Sequence, residues 1–230
     1  EIIGILMIVN RLGHISHWTT WEKAFLLAMA EFSFGMMDLI YSGFDPDYFS
    51  PAIRRGDFDV FLLRPYPVTL QVLGSRFVVR RLGRILTGIS VMVITLINLK
   101  IALTVGICAY MLIINFSQVT LFGSFFIFGS TITFWTIERI EAVNIITYGG
   151  REVITYPMEI FPVWLRKIFT FVIPFIFMNY APAVFILGKQ DMLNLPHYAP
   201  FLAPVISGVF TLLSICFWKY GKKHYQSSGT

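Results

Sequence analysis

The chain has little charge and almost no cysteine. Only 13% of its 230 residues are Asp, Glu, Lys or Arg, against about a quarter in a soluble domain. That excludes an ordinary water-soluble globule. Two cysteines, Cys108 and Cys216, exclude a disulfide framework and a CxxC metal site. Each sits in an apolar run and is expected as a small buried apolar residue. His14 and His17 are spaced i, i+3, but no Cys, Asp or third His lies nearby, so no metal is expected. There is no GxxxxGK[ST] phosphate loop, no GxSxG and no HExxH. The chain is therefore expected to be no enzyme and to carry no cofactor of its own. The alternating ten-residue segments of an outer-membrane barrel are also missing. No nucleic-acid partner is expected.

What is present is apolar. The chain is 56% hydrophobic and 17% aromatic, with a mean hydropathy of +0.71. The apolar residues fall in runs of about 20, enough to cross a bilayer as a helix. One all-α polytopic membrane domain over 1–230 is expected. The chain opens on Glu1 inside an apolar run, so residues 1–9 read as the end of a truncated first span. Trp18 and Trp21 in the following connector suit a membrane interface. Further spans are expected near 23–44, 83–103, 110–136 and 200–219. The fifth crossing is either 139–157 or 168–187. If it is 139–157, the proline-marked stretch 158–190 forms a re-entrant pair on the outer side, where protein covers irregular backbone.

Charge orients the chain. Arg54, Arg55, Arg64, Arg76, Arg80, Arg81 and Arg84 crowd the loop between the second and third spans, and Lys219, Lys222 and Lys223 follow the last. Positive residues favour the cytosolic side, so this loop (45–82) and the C-terminus are expected there. Within the loop, residues 53–67 read IRRGDFDVFLLRPYP, a short amphipathic element. Gly56 loosens the chain, Asp57 is a plausible N-cap, and Pro65 and Pro67 end the element. Its apolar residues Ile53, Phe58, Phe61 and Leu62 suit docking on a partner. Equally, the arginines suit anionic lipid. Arg76, Arg80, Arg81 and Arg84 can hold headgroups while 53–65 meets a protein.

Two carboxylates, Glu31 and Asp38, lie seven residues apart on one face of the second span. A carboxylate at mid-bilayer costs about 2.5–3.5 kcal/mol, so each must face the bundle or water. They are candidates for a substrate path, or for a paired structural contact, with Arg151 one possible partner. Asn115, Ser117 and Gln118 read as glue between helices, with Asn115 and Gln118 also candidates for the path.

Four stretches resemble one family. The loop pattern Gly56, Leu62, Leu63, Arg64, Pro65 resembles the cytosolic loop of bacterial ABC-transporter permeases of the type-2 export class, in particular a six-span branch. The Phe134-Trp135 end of the fourth span, the 156–188 stretch and the closing Tyr225-Gln226-Ser227-Ser228-Gly229 are similar to the same branch. The resemblance covers roughly 20–230. It implies six spans in a bacterial cytoplasmic membrane, with a coupling helix between the second and third. It also implies a second permease chain, as homodimer or heterodimer, and separate nucleotide-binding ATPase subunits that hold ATP and Mg. Residues 53–65 would contact those subunits. It further favours 139–157 as the fifth span. Two other readings stand beside it: a membrane anchor or sensor whose basic loop docks a partner, and an ion-coupled transporter with Glu31 and Asp38 as proton carriers.

Overall fold

The computed structural model describes residues 17–137 and 141–226. The expected first span, His14, Glu138, Arg139 and Ser227 to Gly229 lie outside these. The described residues are helical, without strands. The order is α1 (Thr20–Ile40), α2 (Pro46–Arg54), α3 (Asp57–Leu63), α4 (Val68–Leu73), α5 (Arg81–Asn98) and α6 (Val105–Thr136). Next come α7 (Glu141–Asn144) and α8 (Gly150–Ile154), joined by a π turn, and α9 (Val163–Phe171). A second π turn, Ile176–Tyr180, leads into α10 (Ala181–Leu187), and α11 (Ala203–His224) closes the series.

Helix α1 starts at a full capping box, with Thr19 and Glu22 exchanging side-chain and backbone bonds. It forms the centre of the bundle. Phe25, Leu26, Met29, Phe34 and Met37 are fully buried, against α5, α6, α8 and the chain around α10. Three segments are long and apolar enough to cross a membrane: α5, α6 and Ala199–His224. Helix α1 has the length but carries Glu22, Lys23, Glu31 and Asp38. Protein surrounds it, so those charges meet partners rather than lipid. Helix α6 has 32 residues, about 48 Å of helix, and so overshoots a hydrocarbon core of about 30 Å. Its surplus reaches the level of the 45–82 loop.

Helices α1 and α5 run antiparallel, with Asp38 beside Arg81, Gly35 beside Ile85 and Phe32 beside Gly88. A Cβ on Gly88 would lie 2.6 Å from the Phe32 backbone nitrogen and 2.8 Å from its Cα. Backbone cannot swing aside, so Gly88 sets the spacing of the pair, as small residues do between membrane helices. Gly88→Ala should lower stability by about 1–3 kcal/mol, seen as an earlier thermal midpoint in detergent. An unchanged midpoint would mean that α5 slides freely on α1.

Residues 141–154 run from the loop end towards the opposite end. Asn144 donates to Asp47 at 3.0 Å, and the Ile154 carbonyl meets the same Asn179 amide as the Leu26 carbonyl. Helix α9 and the Ile176–Leu187 segment meet at a bend of 79°. The second of these halves packs antiparallel on α6, from Phe175 beside Phe122, past Asn179 beside Gln118, to Phe185 beside Tyr110. Its start is therefore halfway along α6.

The expectation that Cys108 and Cys216 are buried is corrected: both are exposed on the protein surface. At bilayer depth the surface that meets lipid is as apolar as the core, so an apolar run does not say which way a side chain points.

Candidate functional site

The 45–82 loop folds into three short helices strapped to the bundle. Asp45 caps α2 through the Asp47 amide, 3.0 Å away. Burial pushes the Asp45 carboxyl above its ordinary range, opposed by that cap bond and by Arg81 and Arg76. Gly56 adopts φ 75°, the left-handed conformation that turns α2 into α3. Gly56 itself occupies the N-cap. Asp57 is the first helical residue rather than the cap, and it pairs with Arg55 at 2.9 Å on the open surface. Gln71 of α4 donates to the carbonyls of Phe61 and Tyr66, closing α3 onto α4.

Helix α3 turns one ring inward. Phe58 is fully buried, with ring centroids 5.7 Å from Phe49, 5.1 Å from Phe134, 6.1 Å from Trp218 and 4.8 Å from Tyr225. Most of these pairs are edge-to-face, the arrangement aromatic quadrupoles favour. The Trp218 indole also donates to Thr69 of α4 at 3.0 Å. One aromatic hub thus joins α2, α3 and α4 to the ends of α6 and α11. Phe58, Phe134 and Tyr225 come from three of the four stretches that carried the family resemblance.

The expected contact residues therefore divide. Ile53 and Phe58 are buried in the protein's own core, while Phe61 is half-buried against it. Their apolar periodicity reflects the hub, so Ile53 and Phe58 are removed from an outward docking face. Leu62 stays exposed, joined by Val60, Leu63 and Tyr66. Arg54, Arg55, Asp57, Arg64 and Pro65 are exposed around them. The sequence reading did not find Phe49, Gln71 or Trp218. Phe134 and Tyr225 had a signal, their places in the stretches that carry the resemblance.

The carboxylates of α1 enter a network of arginines. Arg81 Nε lies 2.9 Å from Asp38 Oδ2, and its Nη2 lies 3.5 Å from Asp45 Oδ2. Arg84 reaches Glu31 at 3.5 Å and Asp38 at 3.7 Å. Arg151 of α8 pairs directly with Glu31, the partner anticipated from the sequence. Arg76 completes the chain, 4.0 Å from Asp45. Arg84 and Arg151 also flank the Phe34 ring, 5.7 and 5.6 Å from its centroid. Of the four arginines read as lipid anchors, Arg76, Arg81 and Arg84 are thus held by carboxylates.

Asn115 and Gln118 are buried and bonded. Ser33 donates to Asn115 at 2.7 Å, tying α1 to α6. Gln118 donates to the Met178 carbonyl at 2.9 Å, and Asn179 donates to the carbonyls of Leu26 and Ile154. Their position matches helix glue. Among the described residues no group of His, Cys, Asp and Glu is arranged to hold a metal.

Fold and site together define a multi-pass helical membrane protein with a structured loop tied to its long helices. A family model described as an ABC-2 family transporter protein matches residues 1–229, and the chain belongs to that family. It is a permease-type subunit of an ABC transporter, in a class whose membrane chain is normally non-catalytic. No curated protein and no solved structure matches the chain.

Proposed function

We propose that this chain is the membrane permease of an ATP-driven exporter in a bacterial cytoplasmic membrane, moving amphiphilic substrates by alternating access. Two permease chains work with two ATPase subunits, which hold ATP and Mg. The 45–82 loop and the C-terminus face the cytosol. Six spans cross the membrane, with 139–157 as the fifth and 158–190 dipping in from the outer side. The antiparallel run of 175–187 along only the first half of α6 supports that last element.

The observation that carries the reading is the Phe58 hub. A loop that receives motion needs an exposed contact surface and a stiff link to the spans. Here Val60, Leu62 and Leu63 are exposed one turn from Phe58, whose ring packs on α6 and α11. Rings in such a cluster transmit displacement because close-packed interiors deform little.

The test is co-purification from native membranes. Leu62→Asp with Leu63→Asp should reduce retention of a Walker-motif ATPase at least about tenfold, the loss expected when central apolar anchors are removed. Membrane insertion should be unaffected, because both side chains are exposed. Full retention of the ATPase by this variant would refute the docking role of α3.

A further inference from the structure

Among the described residues the α1 carboxylates Glu31 and Asp38 are buried in ion pairs, whereas one carboxylate at the same depth is open. Glu152 of α8 has a side chain 60% exposed. Its depth follows from its neighbours. Arg151 binds Glu31 in the middle of α1, Gly150 packs on the Phe175 ring beside Phe122, and Ile154 shares Asn179 with Leu26. On α5, the residues antiparallel to this part of α1 are Gly88 and those following it. There Ile89, Val93, Ile94 and Ile97 expose apolar side chains as lipid-facing residues do. Glu152 therefore sits at the level of an apolar stripe, yet lies open.

A carboxylate facing hydrocarbon is strongly disfavoured, so this face of α8 meets water or a polar ligand. Glu31 and Asp38 do not suit that task. Both are buried and engaged by Arg81, Arg84 and Arg151. Glu152 receives one bond, from Arg151 Nη1 to Oε1 at 3.0 Å, and that guanidinium is shared with Glu31. Among the described residues, Oε2 of Glu152 has no hydrogen-bond donor. An exposed acceptor with spare capacity, level with the lipid-facing apolar residues of α5, selects a ligand that brings a positive charge on an apolar body.

We infer that Glu152 is the specificity-determining residue of the translocation path and that the substrates are cationic amphiphiles. This rests on the export reading above. Glu152 takes over from Glu31 and Asp38 as the group that meets the cargo, while Arg151 holds it in place and Glu31 holds Arg151.

The experiment uses two fluorescent probes with one alkyl-aryl body, bearing a trimethylammonium or a sulfonate head. Binding to the purified chain in nanodiscs is read by anisotropy, without ATP. Wild type should favour the ammonium probe about tenfold, and Glu152→Gln should erase that preference while leaving the sulfonate probe unaffected or tighter. Glu152→Asp, which keeps the charge, should retain most of it. Equal binding of both probes to wild type, or an undiminished preference in a folded Glu152→Gln chain, overturns the inference. So does cross-linking of Glu152→Cys between two copies, in a chain freed of Cys108 and Cys216, when the ammonium probe gives no protection, because a second chain then covers this face. Failure of export is seen separately, as absence of ATP-driven movement of either probe in vesicles holding the ATPase subunits.

Discussion

Replacing Phe58 with alanine should cost about 3–5 kcal/mol of stability, the usual loss for a buried phenylalanine. Phe58 has no exposed surface and touches five aromatic rings from four parts of the chain. The void would sit where α3, α6 and α11 meet, and short helices have little else to hold them. Thermal unfolding in detergent should show a lower midpoint, with a red shift of indole emission as water reaches Trp218. The functional signature differs from that of the surface variant. The Phe58→Ala chain should keep its exposed Leu62 and Leu63 and so still recruit ATPase, while ATP hydrolysis no longer drives transport. Loss of ATPase binding equal to that of the Leu62→Asp, Leu63→Asp chain would show that the ring serves docking after all.

Arg81→Met should be about as damaging. Arg81 joins Asp38 and Asp45, and its guanidinium also donates to the Asp38 carbonyl. Both carboxylates are nearly inaccessible. Removing one partner from a buried ion pair costs about 3–5 kcal/mol, because the remaining charge stays buried. Arg81→Met combined with Asp38→Asn should recover part of the loss, since fewer unpaired charges remain. The Asp45 carboxyl adds a pH dependence. Burial raises its pKa above the ordinary 3.8. The sign is therefore that of a group binding protons more tightly when folded: its contribution is present below 3.8 and is lost as pH rises through the raised value. With Arg81 gone the loss should deepen, so the variant should regain stability on mild acidification more than wild type does. Thermal midpoints across pH check this. A variant whose midpoint shifts no more than wild type would refute the burden assigned to Asp45.

Much of this was legible in the sequence. Runs of apolar residues located α1, α5, α6 and α11 to within a few residues. The cost of an unpaired charge in a membrane required partners for Glu31, and Arg151 was anticipated. The direction in which α3 faces was not legible. Phe58, Phe61 and Leu62 fit an amphipathic helix, but periodicity does not say whether the apolar side meets a partner or the chain itself. Deciding this required knowing that Phe134, Trp218 and Tyr225, remote in sequence, arrive at the same place. Glu152 was hidden for a related reason: beside Arg151 it reads as half of a local ion pair, which it is. Only depth and exposure distinguish it. The cysteines show the same limit, since lipid and core are equally apolar.

The hub also bears on biosynthesis. Phe58 is made early, but Trp218 and Tyr225 are among the last of its neighbours to be translated. Until they arrive, Phe58 has only Phe49, Phe61 and Phe134 of its ring neighbours. On the docking reading proposed above, the wall behind α3 is thus completed only after the other helices have been made. A chain released before Trp218 would therefore carry the exposed face of α3 without the ring that joins it to α11.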